Sequence, residues 1–138
     1  MLNGLTALEA LLTNDSNTEL SYRLSLRVAN LLGSEDAARV SLFREMKVFY
    51  DLRSKIVHGS ASKLSTKLQN RLQLTDSLRE IVRRVILSVM ALATSSELTQ
   101  IRLEDLLDQL VFDETKRREV QRLASKFLHI GTPLQFVQ

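Results

Sequence analysis

Glycine and proline, the residues that most often interrupt helices and form turns, are scarce along the whole chain. Four glycines and one proline are spread over 138 residues, and aromatic side chains make up 5% of the total. A β domain needs many turns and many aromatic or β-branched strand residues. The composition therefore argues against an all-β fold and favours helices.

Apolar residues recur at helical spacing through most of the chain. In residues 18–33, TELSYRLSLRVANLLG, leucines and valine repeat with a period near 3.6, and Gly33 is a natural end for the helix. The same pattern predicts further helices at 5–12, 35–58, 66–94, 98–110 and 113–127. Ser34 is the expected N-cap of the helix at 35–58.

These segments predict one all-α domain over residues 1–138, a helical bundle of about four to six helices. The run VILSVMALA, residues 85–93, is nearly all apolar, which predicts that its helix lies in the centre of the domain. Pro133 marks a loosely docked tail at 128–138. The domain could equally be one piece of a longer protein.

Some classes of protein are excluded or disfavoured. The absence of cysteine excludes disulfides, thiolate metal sites and a cysteine nucleophile. No segment approaches ~18 uninterrupted apolar residues, and the N-terminus lacks the basic region of a signal peptide. We therefore expect a cytoplasmic protein that does not enter a membrane. The net charge of +3 is compatible with a phosphate-bearing partner, and equally with a solvated surface.

Metal and cofactor motifs are missing from the sequence. There is no glycine-rich phosphate loop and no His-Glu-x-x-His pair, and the second histidine, His129, has no obvious companion. Glu104, Asp105 and Asp108 look like one face of a solvated helix. We therefore expect neither a metal site nor a cofactor.

The stretch YDLRSKIVHG, residues 50–59, breaks the amphipathic pattern of its helix. At about 100° per residue, Arg53 falls inside the apolar stripe, about 40° from Phe49 and about 60° from Ile56. A guanidinium buried there without a partner costs several kcal/mol. The guanidinium could be paired with an acidic residue such as Glu9 or Glu19, could bind a ligand phosphate, or could lie at the rim of a subunit interface. Alternatively, the stem packs on the core edge and the guanidinium stays in water.

His58 stands at the end of the same helix, before Gly59. A helix C-terminus favours a protonated imidazole, so a capping role is one interpretation. Residues five apart on a regular helix point about 140° from each other. Arg53 and His58 therefore converge only if the helix end unwinds or if long side chains meet across an interface. A two-fold interface near this helix would supply that geometry, which predicts a homodimer.

The segment ELSYRLSLRVANLLG followed by FYDLRSKIVHG resembles the HEPN superfamily of small α-helical domains, in particular its Apea-like branch. The upstream LEALL and the closing His-Gly belong to the same resemblance, which covers roughly residues 5–90. The Arg-x4-His spacing of the family is carried here by Arg53 and His58.

The resemblance implies a dimerising helical bundle that acts as a metal-independent endoribonuclease in toxin–antitoxin, antiviral or abortive-infection systems. RNA would be the substrate, an antitoxin or an additional domain a further partner, and Arg53 and His58 the catalytic pair. Active relatives usually have asparagine, aspartate or histidine after the arginine, where this chain has Ser54. Non-cleaving HEPN domains bind RNA or nucleotides, and a silent binding module is therefore the alternative.

Cleavage of RNA by its own 2′-hydroxyl suits these residue types. An imidazole can transfer a proton near neutral pH, and an arginine can stabilise the charge that builds on the phosphate. Ser54, Lys55, Tyr50 and Asp51 are candidates for substrate binding, and surface charge or packing is an equal interpretation of the last three. The basic stretches RLQLTDSLREIVRR and KRREVQR would form a track for a polyanion if they faced the same way as His58. A plain interaction domain, with Arg53 anchoring a dimer, is the third hypothesis.

Overall fold

The computed structural model describes residues 1–13, 19–58, 68–95 and 100–128, with the side chains of 68–72 excepted. Within these ranges the protein consists of six helices and contains no strand. The helices are α1 (Leu2–Leu12), α2 (Leu20–Leu32), α3 (Asp36–Val57), α4 (Leu68–Ala93), α5 (Leu103–Phe112) and α6 (Glu114–Leu128). The prediction of an all-α helical bundle is confirmed.

The helix ends differ from the predicted ones at a few points. Glu35, not Ser34, is the N-cap of α3, and it makes no capping hydrogen bond with its side chain. Helix α5 begins only at Leu103, because Arg102 before it has an extended backbone with ψ 135°. The predicted stop at Gly59, the start of the predicted helix at Leu98, and the tail with His129 and Pro133 lie outside the described residues.

Helix α2, not α4, is the central element of the bundle. It contacts each of the other five helices, and eight of its 13 residues are buried. Helix α4 is amphipathic instead: Val85 is fully buried in the core, but Ile86 is 38% and Met90 is 53% exposed. The prediction that the apolar run of α4 occupies the centre was therefore wrong in this respect.

A buried arginine joins three of the helices. Arg27 of α2 is 3% exposed. Its Nε and Nη2 donate to the two carboxylate oxygens of Asp108 on α5 at 2.7 and 2.9 Å, and its Nη1 donates to the carbonyl of Leu12 at the end of α1. A fork of this kind satisfies most of the donors of a guanidinium. The contact fixes α1 and α5 against the middle of α2.

Polar side chains of α6 donate hydrogen bonds to free carbonyls at the C-terminal ends of two other helices. Arg117, 7% exposed, donates to the carbonyl of Leu110 at 2.9 Å. The side-chain amide of Gln121 donates to the carbonyls of Asn30 and Gly33 at 3.0 and 2.8 Å. Carbonyls in the last turn of a helix lack partners within the helix. These bonds therefore anchor α6 to the ends of α2 and α5.

Gly33 ends α2 at a point where there is no room for a side chain. Its φ of −86° is open to any residue, but a Cβ would stand 2.7 Å from the carbonyl oxygen of Ala29 and 2.9 Å from the backbone nitrogen of Arg39. Both are backbone atoms, one in the last turn of α2 and one at the start of α3, so relief would require the end of α2 to change as well as the start of α3 to move. The requirement for glycine at this position is steric.

We expect Gly33→Ala to lower the free energy of unfolding by about 2 kcal/mol, in the range usual for overpacking a tight site. Gly4→Ala is the matched control. In that position a Cβ would make ordinary contacts with Leu78 at 3.4 and 3.5 Å, and alanine inside a helix is favoured over glycine by about 0.5–1 kcal/mol. Urea unfolding should therefore give shifts of opposite sign. Equal midpoints for the two variants would show that α3 yields easily at this contact.

Candidate functional site

An open cleft of about 500 Å³ lies where the C-terminal half of α3 meets α1 and the start of α2. Its walls are formed by Glu9 from α1, by Leu20 and Ser21 from α2, and by Tyr50, Asp51, Arg53, Ser54, Val57 and His58 from α3. Of the residues predicted for the site, the structure brings together Arg53, His58, Ser54, Tyr50 and Asp51 in this cleft. Lys55 is exposed and does not line it.

The regular geometry of α3 places Arg53 and His58 on opposite sides of the cleft. The helix continues through Val57, and the backbone N–H of His58 still donates to the carbonyl of Ser54 at 3.0 Å. At about 100° per residue, Ser54 projects about 100° from Arg53 and about 40° from His58. Ser54 therefore lies between the two side chains. A ligand that fills the cleft can contact both, without unwinding of the helix.

The position of Arg53 in the apolar stripe is explained by Glu9. Nη1 of Arg53 forms an ion pair with Oε1 of Glu9, and the two side chains are 31% and 18% exposed. The other carboxylate proposed from the sequence, Glu19, is exposed at the start of α2. Because the pair is partly open to water, its contribution to stability is modest, about 1 kcal/mol.

Tyr50 completes this group of side chains. Its hydroxyl donates to Oε1 of Glu9 at 3.3 Å. Burial of the ring raises the pKa of Tyr50 well above its usual value, and the charge and hydrogen bond of Glu9 raise this pKa further, against a smaller opposing effect of Arg53. The phenol therefore keeps its proton and acts as a hydrogen-bond donor that holds the carboxylate.

Arg53 keeps donors for a ligand. Its only hydrogen bond within the described ranges is the one from Nη1 to Glu9, so Nε and Nη2 have no acceptor there. Two adjacent N–H donors on a planar guanidinium match two oxygens of a phosphate. The cleft thus contains one edge of a guanidinium that is suited to an anion.

No described side chain of the two basic stretches lines this cleft. Arg84 of α4 donates to the carbonyl of Leu32 at 3.2 Å, and Gln121 of α6 contacts Gly33. Both contacts are at the C-terminal end of α2, whereas the cleft lies at its N-terminal end. Basic residues on α4 and α6 also form ion pairs within their own helices, namely Arg79–Asp76, Arg83–Glu80 and Arg118–Glu114.

The described part of the chain lacks two other kinds of feature. No group of three or more histidine, cysteine, aspartate or glutamate side chains there could hold a metal ion. None of the helices in it combines the length and the apolar character needed to cross a lipid bilayer.

Comparison with family models, with curated proteins and with solved structures gives no match for this chain. The chemistry of the cleft therefore has to be judged from its own residues. Sequence reasoning named Glu9 only as one possible partner of Arg53 and assigned it no role in the site. No spacing rule connects the two residues, because they lie on different helices.

Proposed function

We propose that this protein is a metal-independent endoribonuclease of the toxin, antiviral or abortive-infection type, acting as a homodimer with Arg53 and His58 at a composite site. One observation carries the proposal: Arg53 and His58 line the same cleft of about 500 Å³. The HEPN resemblance of the surrounding sequence supports RNA as the substrate. An antitoxin or an additional domain would be a further partner.

The reaction is attack of a 2′-oxygen on the adjacent phosphorus, with departure of the 5′-oxygen. The free Nε and Nη2 of Arg53 stabilise the charge that develops on the phosphate oxygens. The exposed His58 provides one of the two proton transfers, and a second His58 in a dimer could provide the other. The substrate brings its own nucleophile, so a metal-bound water is unnecessary.

Two observations favour a second candidate, a catalytically silent module that binds RNA or nucleotides. The charge of Arg53 is neutralised by Glu9 in the free protein, and Ser54 stands where active relatives of the HEPN type usually have asparagine, aspartate or histidine. In this alternative, Arg53 helps to bind a phosphate and no bond is broken.

Incubation of the protein with a chelator and a single-stranded RNA, beside a DNA of the same sequence, separates the two candidates. We expect the RNA to be cut and the DNA to survive, because DNA lacks the 2′-hydroxyl. The products should carry a 2′,3′-cyclic phosphate or its hydrolysis product at one end and a 5′-hydroxyl at the other. RNA that is bound but left whole, with and without divalent metal, would establish the binding module instead. Sedimentation at tens of micromolar tests the dimer, and a monomer there would count against the composite site.

A further inference from the structure

The cleft of a single protomer contains a residue that could perform the second proton transfer. We propose that Glu9 is the general base of the reaction and that His58 is the general acid. Each protomer then holds a complete set of groups, and a dimer brings together two whole sites rather than two halves. This inference rests on the proposed RNA cleavage, but it replaces the second His58 of a composite site with Glu9 of the same protomer.

The contacts of Glu9 leave part of its carboxylate available. Oε1 accepts from Arg53 and from the hydroxyl of Tyr50. Oε2 accepts no hydrogen bond from any side chain or backbone group that the structure describes, and the side chain is 18% exposed on the cleft wall. Tyr50 acts as a positioning residue, because its bond and the ion pair both fix Oε1. The carboxylate is therefore held at one oxygen and open at the other.

The position of Glu9 beside Arg53 puts it next to the nucleophile. The donors of Arg53 that are left for a phosphate, Nε and Nη2, and the carboxylate held at Nη1 lie on two sides of one planar guanidinium and belong to the same cleft. The attacking 2′-oxygen lies within roughly 3–3.5 Å of phosphorus in a reactive arrangement. A general base has to be within hydrogen-bond reach of the proton that it removes. The proposal therefore requires the 2′-hydroxyl to lie between this phosphate and Oε2 of Glu9, which lines the same cleft as Arg53.

His58 is placed for the opposite transfer. In a displacement at phosphorus, the attacking and the leaving oxygen are roughly in line, on opposite sides of the phosphate. Arg53 and Glu9 form one side of the cleft, and His58 lies about 140° around α3 from Arg53. A base at Glu9 and an acid at His58 therefore match the two ends of the reacting group.

The proposed step is balanced. Glu9 takes the proton of the 2′-hydroxyl as the bond from the 2′-oxygen to phosphorus forms. His58, as the imidazolium, gives a proton to the 5′-oxygen as the bond from phosphorus to that oxygen breaks and its electron pair leaves with the oxygen. The products are a 2′,3′-cyclic phosphate and a 5′-hydroxyl. Glu9 then releases its proton to water, and His58 regains one.

Glu9→Gln is the discriminating variant. Glutamine keeps a side-chain oxygen that can accept from Arg53 and Tyr50, but it cannot take the proton of the 2′-hydroxyl. We expect the single-turnover rate constant of RNA cleavage to fall by about 100-fold or more, while the affinity for the RNA is kept. Glu19→Gln is the matched control, since Glu19 is exposed and does not line the cleft, and it should cleave at the wild-type rate.

An RNA with a 5′-bridging sulfur at the scissile bond assigns the acid, because a thiolate leaves without a proton. We expect His58→Ala to cleave this substrate near the wild-type rate and Glu9→Gln to stay slow. If Glu9→Gln cleaves ordinary RNA as fast as wild type, or if His58→Ala stays slow on the sulfur substrate, the assignment is wrong and the proposed function stands. If the wild-type protein leaves RNA whole, the proposed function and this inference fall together.

Discussion

Replacement of His58 by alanine should lower the rate constant of RNA cleavage by about 10³-fold, within the range found when a group that transfers a proton is lost. The affinity for RNA should change little, since a proton transfer stabilises the transition state more than the bound ground state. His58 is exposed at the end of α3, so the free energy of unfolding should change by less than about 0.5 kcal/mol. Single-turnover cleavage, RNA titration and a thermal melt measure these three quantities.

The chain offers a control of the same residue type. It contains two histidines, and His129→Ala should cleave at the wild-type rate. Cleavage by His58→Ala that is as fast as that of the wild type would show that the assignment of Arg53 and His58 is wrong. A parallel loss of cleavage and of RNA binding would indicate a role in binding rather than in proton transfer.

Asp108→Ala should be the most destabilising of the substitutions considered for this protein. It leaves the guanidinium of Arg27, whose side chain is 4% exposed, with the carbonyl of Leu12 as its one remaining acceptor among the described residues. Removal of one partner from a buried pair costs about 3–5 kcal/mol. The aspartate side chain itself is 55% exposed, and water can follow it to the arginine, so we expect a loss near 3 kcal/mol.

Thermal or urea unfolding measures this loss, which corresponds to a decrease in melting temperature of roughly 10 °C for a domain of this size. Asp105→Ala on the same helix is the control. Asp105 is exposed in the first turn of α5. A carboxylate at this position interacts favourably with the helix dipole and stabilises the folded protein by about 0.5 kcal/mol. Equal effects of the two substitutions would mean that the fork between Arg27 and Asp108 contributes nothing beyond a surface charge.

The sequence predicted the helices well and the centre of the bundle poorly. Apolar periodicity predicted all six helices, because it reports which face of each segment avoids water. It favoured α4 as the central helix on account of the apolar run at 85–93. Helix α2 is central although it contains two polar residues: Arg27 and Asn30 are buried, at 3% and 6% exposure. Arg27 donates to Asp108 on α5, and Asn30 accepts from Arg117 on α6. A hydropathy pattern along one helix cannot show those partners.

The candidate site, like the fold, was predicted from the sequence only in part. Positions within α3 could be compared by counting residues, so Arg53 was identified as out of place in the apolar stripe, and its separation of about 140° from His58 could be calculated. The choice of Glu9 over Glu19 as the partner of Arg53 could not be made, because it depends on how α1 packs against α3. The proposed catalytic role of Glu9 follows from that packing and from no motif.

The central position of α2 has a consequence for amide hydrogen exchange. Most of its residues from Leu24 to Leu32 are buried, and it contacts all five other helices, so separation of any one neighbour leaves its amides shielded by the others. These amides can exchange only when the whole domain unfolds, and they report the global free energy of unfolding. Helix α1, which supplies Glu9, has three buried residues among its 11, and we expect its amides to exchange faster. If α2 exchanges slowly and α1 exchanges faster, the cleft has one rigid wall, formed by α2, and one wall that opens transiently, formed by α1.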